Sequence, residues 1–159
     1  MDAEHFKLSL VTGKQDTFQA RSKPEEMEII CPKETDFNDE RLQAWLRKAI
    51  EEALRKHAKV ILPLRLAELS ARYKLPFRGV KINSSRGRWG SCSVKKVINL
   101  SFFVLLLPEY LIDYVLLHEL CHTCEMNHSN RFWRLLDDFT EGKALALRKE
   151  LGKYQTEIS

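Results

Sequence analysis

The segment Pro108-Glu109-Tyr110-Leu111-Ile112-Asp113-Tyr114-Val115-Leu116-Leu117-His118-Glu119-Leu120-Cys121-His122 decides how this chain is read. Leu111, Ile112, Val115, Leu116 and Leu120 make it apolar on most of its circumference, the pattern of a buried central helix. Pro108 suits the first position, where no amide donor is needed. The segment ends in H-E-x-x-H. Helical positions four apart share a face, about 6 Å from one another along the axis. His118 and His122 can therefore reach one metal ion, and Glu119 can face a water on that ion as a base.

Downstream, Glu125-Met126-Asn127 reads as the helix end, with Asn127 as a left-handed cap. His128 follows at once, so a third imidazole appears where the chain turns back. Ser129 is placed to cap a helix through Phe132, Trp133, Leu135 and Leu136 to Thr140. Gly142 interrupts, and a last helix is expected from Lys143 to Leu151, stopped by Gly152.

Upstream, Phe6, Leu8 and Leu10 alternate with polar residues, Gly13-Lys14-Gln15-Asp16 reads as a turn, Phe18 and Ala20 alternate again, and Met27 to Cys31 leads to a proline. These are strand signals. Asn38 or Asp39 can cap a helix to about Lys56, with Leu42, Trp45, Leu46, Ala49, Ile50, Ala53 and Leu54 at helical spacing. Pro63 is expected to begin a second helix (Leu62, Leu66, Leu69 and Tyr73 on one stripe), ended by Pro76. Val80 and Ile82 read as a strand and Ser84 to Gly87 as a turn. Trp89 to Ser93 and Val97 to Phe102 are expected to pair through Val94-Lys95-Lys96. Strands, helices, a small sheet and helices again make an α+β chain, divided into an N-terminal β segment (residues 1–37) and a main domain (residues 38–159).

At 159 residues with 44% hydrophobic composition, the chain has material for one real core. A net charge of +4 is mild: it does not demand nucleic acid and leaves anionic substrates open. Met1-Asp2-Ala3-Glu4-His5 has no apolar leader character, and the longest apolar run, Phe102 to Leu107, is too short to span a bilayer. A cytoplasmic protein without membrane partners is expected, with Cys31, Cys92, Cys121 and Cys124 as reduced thiols. Cys121 and Cys124 form a C-x-x-C near a helix C-terminus, where thiol pKa rises. They read as buried small hydrophobes rather than a redox pair.

Arg88-Trp89-Gly90-Ser91-Cys92-Ser93, Ile98-Asn99-Leu100, Asp113-Tyr114-Val115, His118-Glu119-Leu120-Cys121-His122, Asn127-His128-Ser129 and Phe132-Trp133, taken together, resemble the YgjP-like metallopeptidase family. The resemblance is strongest over roughly Leu62 to Leu151 and extends, more weakly, over the N-terminal strands. It implies a zincin-type hydrolase with a minimal core, an edge strand above a metal helix. It also implies His118, His122 and His128 as metal ligands and Glu119 as the catalytic carboxylate. Some zincins use a later glutamate as third ligand, and Glu141 has a compatible spacing from His122.

Zinc suits three neutral imidazoles and keeps one position for water, whose pKa it lowers towards roughly 7. The leading expectation is thus a zinc-dependent peptidase acting on peptides or proteins. Arg88, Trp89, Gly90 and Ser91 would form the floor of a groove in which an extended peptide adds as an antiparallel strand; the plainer reading is a core tryptophan and a tight strand entry. Arg86, Arg88, Lys95 and Lys96 read as a solvated face, or else as an attractor of carboxylate or phosphate. The latter would suit a nucleotide or phosphoanhydride hydrolase. A non-enzymatic alternative has a structural metal and a surface that binds nucleic acid or a partner protein. Tyr114 reads as a core tyrosine with a satisfied hydroxyl that can approach the site. Asp137, Asp138 and Glu141 are candidates to orient a ligand imidazole.

Overall fold

The computed structural model describes residues 2–3, 6–13, 19–23, 26–32 and 35–158. Helix α1 (Glu40–Tyr73) runs unbroken for 34 residues, with Pro63 inside it. Two helices divided at Pro63 were expected from the sequence; one forms. An interior proline loses a hydrogen bond and crowds the preceding turn, at a cost of about 3 kcal/mol. Here the buried stripe continues through the proline: Ala58, Leu62 and Leu66 are fully buried on both sides of it. Each such leucine contributes about 1.5–3 kcal/mol on burial, enough to hold the rod together. Asp39 caps α1 by accepting from the Arg41 amide at 2.9 Å. Lys74, in the left-handed region at φ 56°, ends it ahead of Pro76.

Strands β1 (Asp2–Ala3), β2 (Phe6–Gly13), β3 (Gln19–Lys23) and β4 (Glu26–Pro32) form one sheet in the order β1-β2-β4-β3. Strand β4 lies parallel to β2 and antiparallel to β3. Its alternating Met27, Ile29 and Cys31 are buried and join the core that α1 faces. Lys14, Gln15 and Asp16 of the expected turn, Phe18, and the side chains of Phe6, Leu8 and Ala20 lie outside the described residues.

The second sheet comprises β5 (Gly79–Asn83), β6 (Gly90–Cys92) and β7 (Val97–Ser101), with β7 central. Strand β6 pairs with β7 antiparallel through the expected Val94-Lys95-Lys96 connection, and β5 pairs with β7 parallel. A short 3-10 helix (Phe102–Leu106) leads to helix α2 (Glu109–Cys121). Helix α2 is buried nearly all round, as its composition predicts; Pro108 sits one place earlier than expected, at its N-cap. Arg65 on α1 grips Asp113 on α2 with two hydrogen bonds, Nε to Oδ1 at 2.8 Å and Nη2 to Oδ2 at 2.7 Å. That fork fixes the rotation of α2 about its axis.

Helix α2 stops at Cys121 instead of reaching Met126, and Asn127 is not among the residues with positive φ. Local side-chain bonding turns the chain first: Thr123 Oγ1 donates to the Leu120 carbonyl at 2.7 Å. Helix α3 (Asn130–Thr140) begins after Ser129, which sits at the cap position without a side-chain cap bond. Helix α4 (Ala144–Ile158) continues through Gly152, past the expected stop at Leu151. A glycine costs a helix only about 1 kcal/mol, and Leu147, Leu151 and Tyr154 pack against the core on either side of it. Among the described residues, no helix is long and apolar enough to cross a membrane. All four cysteines are free; Cys121 is buried, but Cys124, expected to be buried with it, is exposed.

Candidate metal centre

Helix α2 supplies His118, Glu119 and, at its C-cap, His122, whose dihedrals (φ −66°, ψ −17°) are still helical. The two rings therefore remain on one face, with centroids 5.0 Å apart. The short turn after Cys121 brings His128 back to them, 5.3 Å from the His118 ring and 4.7 Å from that of His122. One ring nitrogen from each histidine lies within 4.8 Å of the others. Phe132, in the first turn of α3, stacks flat on His122 at 4.3 Å and meets the other two rings edge-on. Glu141 stands apart from this group, exposed at the left-handed cap of α3.

The hydrogen-bond pattern sets the donor atoms. His122 Nδ1 lies 3.0 Å from the Glu125 carbonyl, which only accepts, so the ring proton sits on that side. Its Nε2 carries the lone pair and lies 3.2 Å from Nε2 of His128, from which it can accept. Burial lowers the pKa of His122; burial and then the neighbouring imidazoles lower that of His128. Both rings are thus held neutral, the form that ligates metals. Convergent neutral imidazoles beside an acceptor carboxylate fit a divalent cation of intermediate softness. The part foreseen for Asp137, Asp138 or Glu141 falls to other groups. Asp137 caps α4 through the Ala144 amide, and the Glu125 carbonyl orients His122.

Glu119 is 5% exposed. Its Oε1 lies 3.1 Å from His118 Nδ1, and its Oε2 is buried without a partner. It packs directly under β6: a Cβ on Gly90 would meet Glu119 Cγ at 3.0 Å and the Asn99 carbonyl at 3.1 Å. The glycine in Arg88-Trp89-Gly90 is explained by that approach of helix to strand. Gly90→Ala is expected to displace the carboxylate by a few tenths of an ångström and to lower kcat about ten-fold or more. KM and bound metal should change little. Full kcat in that variant would mean that the close contact is not what the glycine serves.

A cleft of about 540 Å³ opens beside the histidines; Arg88, Trp89, Gly90 and Tyr114 line it, together with Arg148 and Leu151 from α4. Its size is that of a small-ligand site. Ser91 is not among the lining residues; it sits opposite Asn99 in the β6–β7 pair. The basic run divides. Arg86 turns to Glu51 on α1 and lies over the Phe103 ring, Arg88 goes to the cleft, and Lys95 and Lys96 belong to the strand connection. Arg148 and Leu151 carry no motif, and only the return of α4 brings them here.

Tyr114 is 2% exposed and, against expectation, its hydroxyl has no hydrogen-bond partner. Burial pushes its pKa up to about 12, so it remains a donor at neutral pH. Burial likewise raises the thiols of Cys121 to about 12 and Cys92 to about 11, which makes both poor nucleophiles. An orphaned buried hydroxyl costs about 1–3 kcal/mol. Tyr114→Phe should therefore keep or raise the melting temperature; a fall of several degrees would reveal a partner for the hydroxyl.

The chain matches the YgjP-like metallopeptidase domain over residues 2–154. It belongs to the YgjP-like family. The match takes in the N-terminal strands as well as the part that carries the motifs. The YgjP-like chain is also similar to the solved structure of the metallopeptidase zymogen of Pyrococcus abyssi abylysin, at 25% identity and a TM-score of 0.52, over 57% of this chain and 91% of that one. No curated protein matches. The α+β class with a histidine triad at the end of a helix is thus that of a metallopeptidase fold.

Proposed function

We propose that this protein is a zinc-dependent peptidase, with His118, His122 and His128 holding the ion and Glu119 as general base. The observation that carries the reading is the convergence of three imidazole nitrogens within 4.8 Å, beside a buried carboxylate oxygen that has no partner. Zinc would supply Lewis acidity, acidifying water and polarising a carbonyl oxygen.

The residues of the chain do the rest. Glu119 is buried against β6, so its carboxylate is held in place and poorly solvated. It accepts a proton from the attacking water and returns it to the amine released when the C–N bond breaks. Strand β6 is an edge strand with one side unpaired in its sheet, and an extended peptide can add there antiparallel. Arg88, Trp89 and Gly90 then face the peptide across the cleft, and the adjacent Ser91 belongs to the same docking edge. The division into residues 1–37 and 38–159 is retained as part of this reading, with the hydrolytic machinery in the second unit.

Metal analysis of protein purified without added metal, together with cleavage mapping of a mixed peptide library, tests the proposal. One zinc per chain and peptide hydrolysis abolished by chelation and restored by zinc are expected. A metal-free protein that takes up no zinc at neutral pH would defeat it.

A further inference from the structure

Two exposed arginines, Arg88 and Arg148, line the cleft and have no protein acceptor among the described residues. The Trp89 Nε1 and Tyr114 hydroxyl donors, unpartnered among the described residues, are sealed in the wall of the cleft and do not open into it. Arg88 reaches the cleft from the loop before β6 and Arg148 from α4, and among the described residues neither pairs with a carboxylate. Arg148 is instead seated over the Trp133 ring, 5.4 Å from its centroid, which holds the guanidinium in place without neutralising it. Among the described residues that line the cleft, Glu119 is the one acidic group, and the proposed reaction already uses it. A cleft lined by two uncompensated guanidinium groups binds best a ligand that carries negative charge and paired acceptor oxygens.

From this the geometry points to a substrate carboxylate bound in the cleft between Arg88 and Arg148, so that peptides carrying an acidic group close to the scissile bond are preferred. The inference rests on the peptidase reading above. Guanidinium suits the task because its planar fork meets a carboxylate with two parallel hydrogen bonds. The approach of one arginine from the loop before β6 and the other from α4 would set how far the acidic group lies from Glu119 (and hence which bond is presented). The carboxylate can come from the C-terminus of a short peptide or from an aspartate or glutamate side chain.

Binding separates these sources. Zinc-loaded Glu119→Gln protein, which should hold substrate without turning it over, would be titrated calorimetrically with three probes: pentaalanine as the free acid, its C-terminal amide, and that amide with a central glutamate. The expected result is at least ten-fold tighter binding of the free acid, the glutamate amide, or both, over the plain amide. Arg148→Gln and Arg88→Gln on the same background should erase the preference, whereas Arg148→Lys should keep part of it. Equal affinity for all three probes, or a preference that survives both glutamine substitutions, overturns the assignment. Tighter retention of a nucleoside triphosphate than of either acidic probe, lost on the same substitutions, overturns it in favour of phosphate. Hydrolysis of the same peptides by protein with Glu119 intact is scored separately. Absence of cleavage counts against the proposed reaction, while the binding comparison decides the carboxylate.

Discussion

Glu119→Gln is expected to lower kcat/KM by about 10²–10⁴-fold, the usual contribution of a positioned general base, and to leave the protein folded with its metal bound. The substitution is nearly isosteric. It keeps the packing of the side chain under Gly90 and removes only the ability to take a proton. Stability should hold or rise. The wild-type carboxylate is 5% exposed with one oxygen unpaired, and burying a charge in that state is costly. A variant with a higher melting temperature, full zinc content and no hydrolysis is thus the predicted outcome. Normal turnover by this variant would remove Glu119 from the mechanism. Inactivity accompanied by metal loss would make it a structural prop of the centre instead.

His122→Ala is expected to abolish zinc retention and activity together. The loss of affinity should exceed the roughly 10–100-fold typical when only an outer partner of a ligand is removed. His122 is the best-held ring of the three: buried, stacked on Phe132 and oriented by the Glu125 carbonyl. Its removal also leaves a void against that phenyl ring, so some destabilisation should accompany the metal loss. His128, exposed on the returning turn, is the gentler test: His128→Ala should release zinc with little change in melting temperature.

Acid should act on the same centre. The folded-state pKa values of His122 and His128 lie below the ordinary 6.5, because burial disfavours the charged rings. Above that value both rings are neutral folded or unfolded. As pH falls through it, the unfolded chain takes up protons more readily, and the folded state loses ground. Zinc binding, which needs neutral imidazoles, weakens in the same direction. Zinc content and melting temperature followed from pH 8 to about 5 should decline together below about 6.5. Retention of zinc throughout that range would contradict histidine ligation.

Much of the fold was legible in local pattern. The apolar run from Leu111 to Leu120 predicted a buried helix, and the β6 and β7 strands with their Val94-Lys95-Lys96 connection lie where alternation put them. Two of the misreadings share one cause. Pro63 and Gly152 were taken as helix boundaries because local propensity disfavours them inside helices. In the folded chain Leu62 and Leu66 around the first, and Leu151 and Tyr154 around the second, pack on the core and override costs of one to a few kcal/mol. The expected cap at Asn127 failed for the opposite reason: a nearby threonine offered the backbone an earlier local bond.

By itself the amino-acid sequence determined the chemistry on offer: two imidazoles on one helical face, a carboxylate next to the first of them, and a third imidazole a short tether away. Periodicity and spacing are properties of a single helix, and the chain carries them before it folds. Only the tertiary structure decided how that chemistry is housed. It set His128, and not Glu141, beside the other two rings, pressed Glu119 against Gly90, left the Tyr114 and Trp89 donors without partners among the described residues, and brought Arg148 from α4 into the cleft that Arg88 lines. Those contacts join residues remote in sequence, and no local pattern encodes which helix returns to which cleft. Packing of the whole core selects that arrangement.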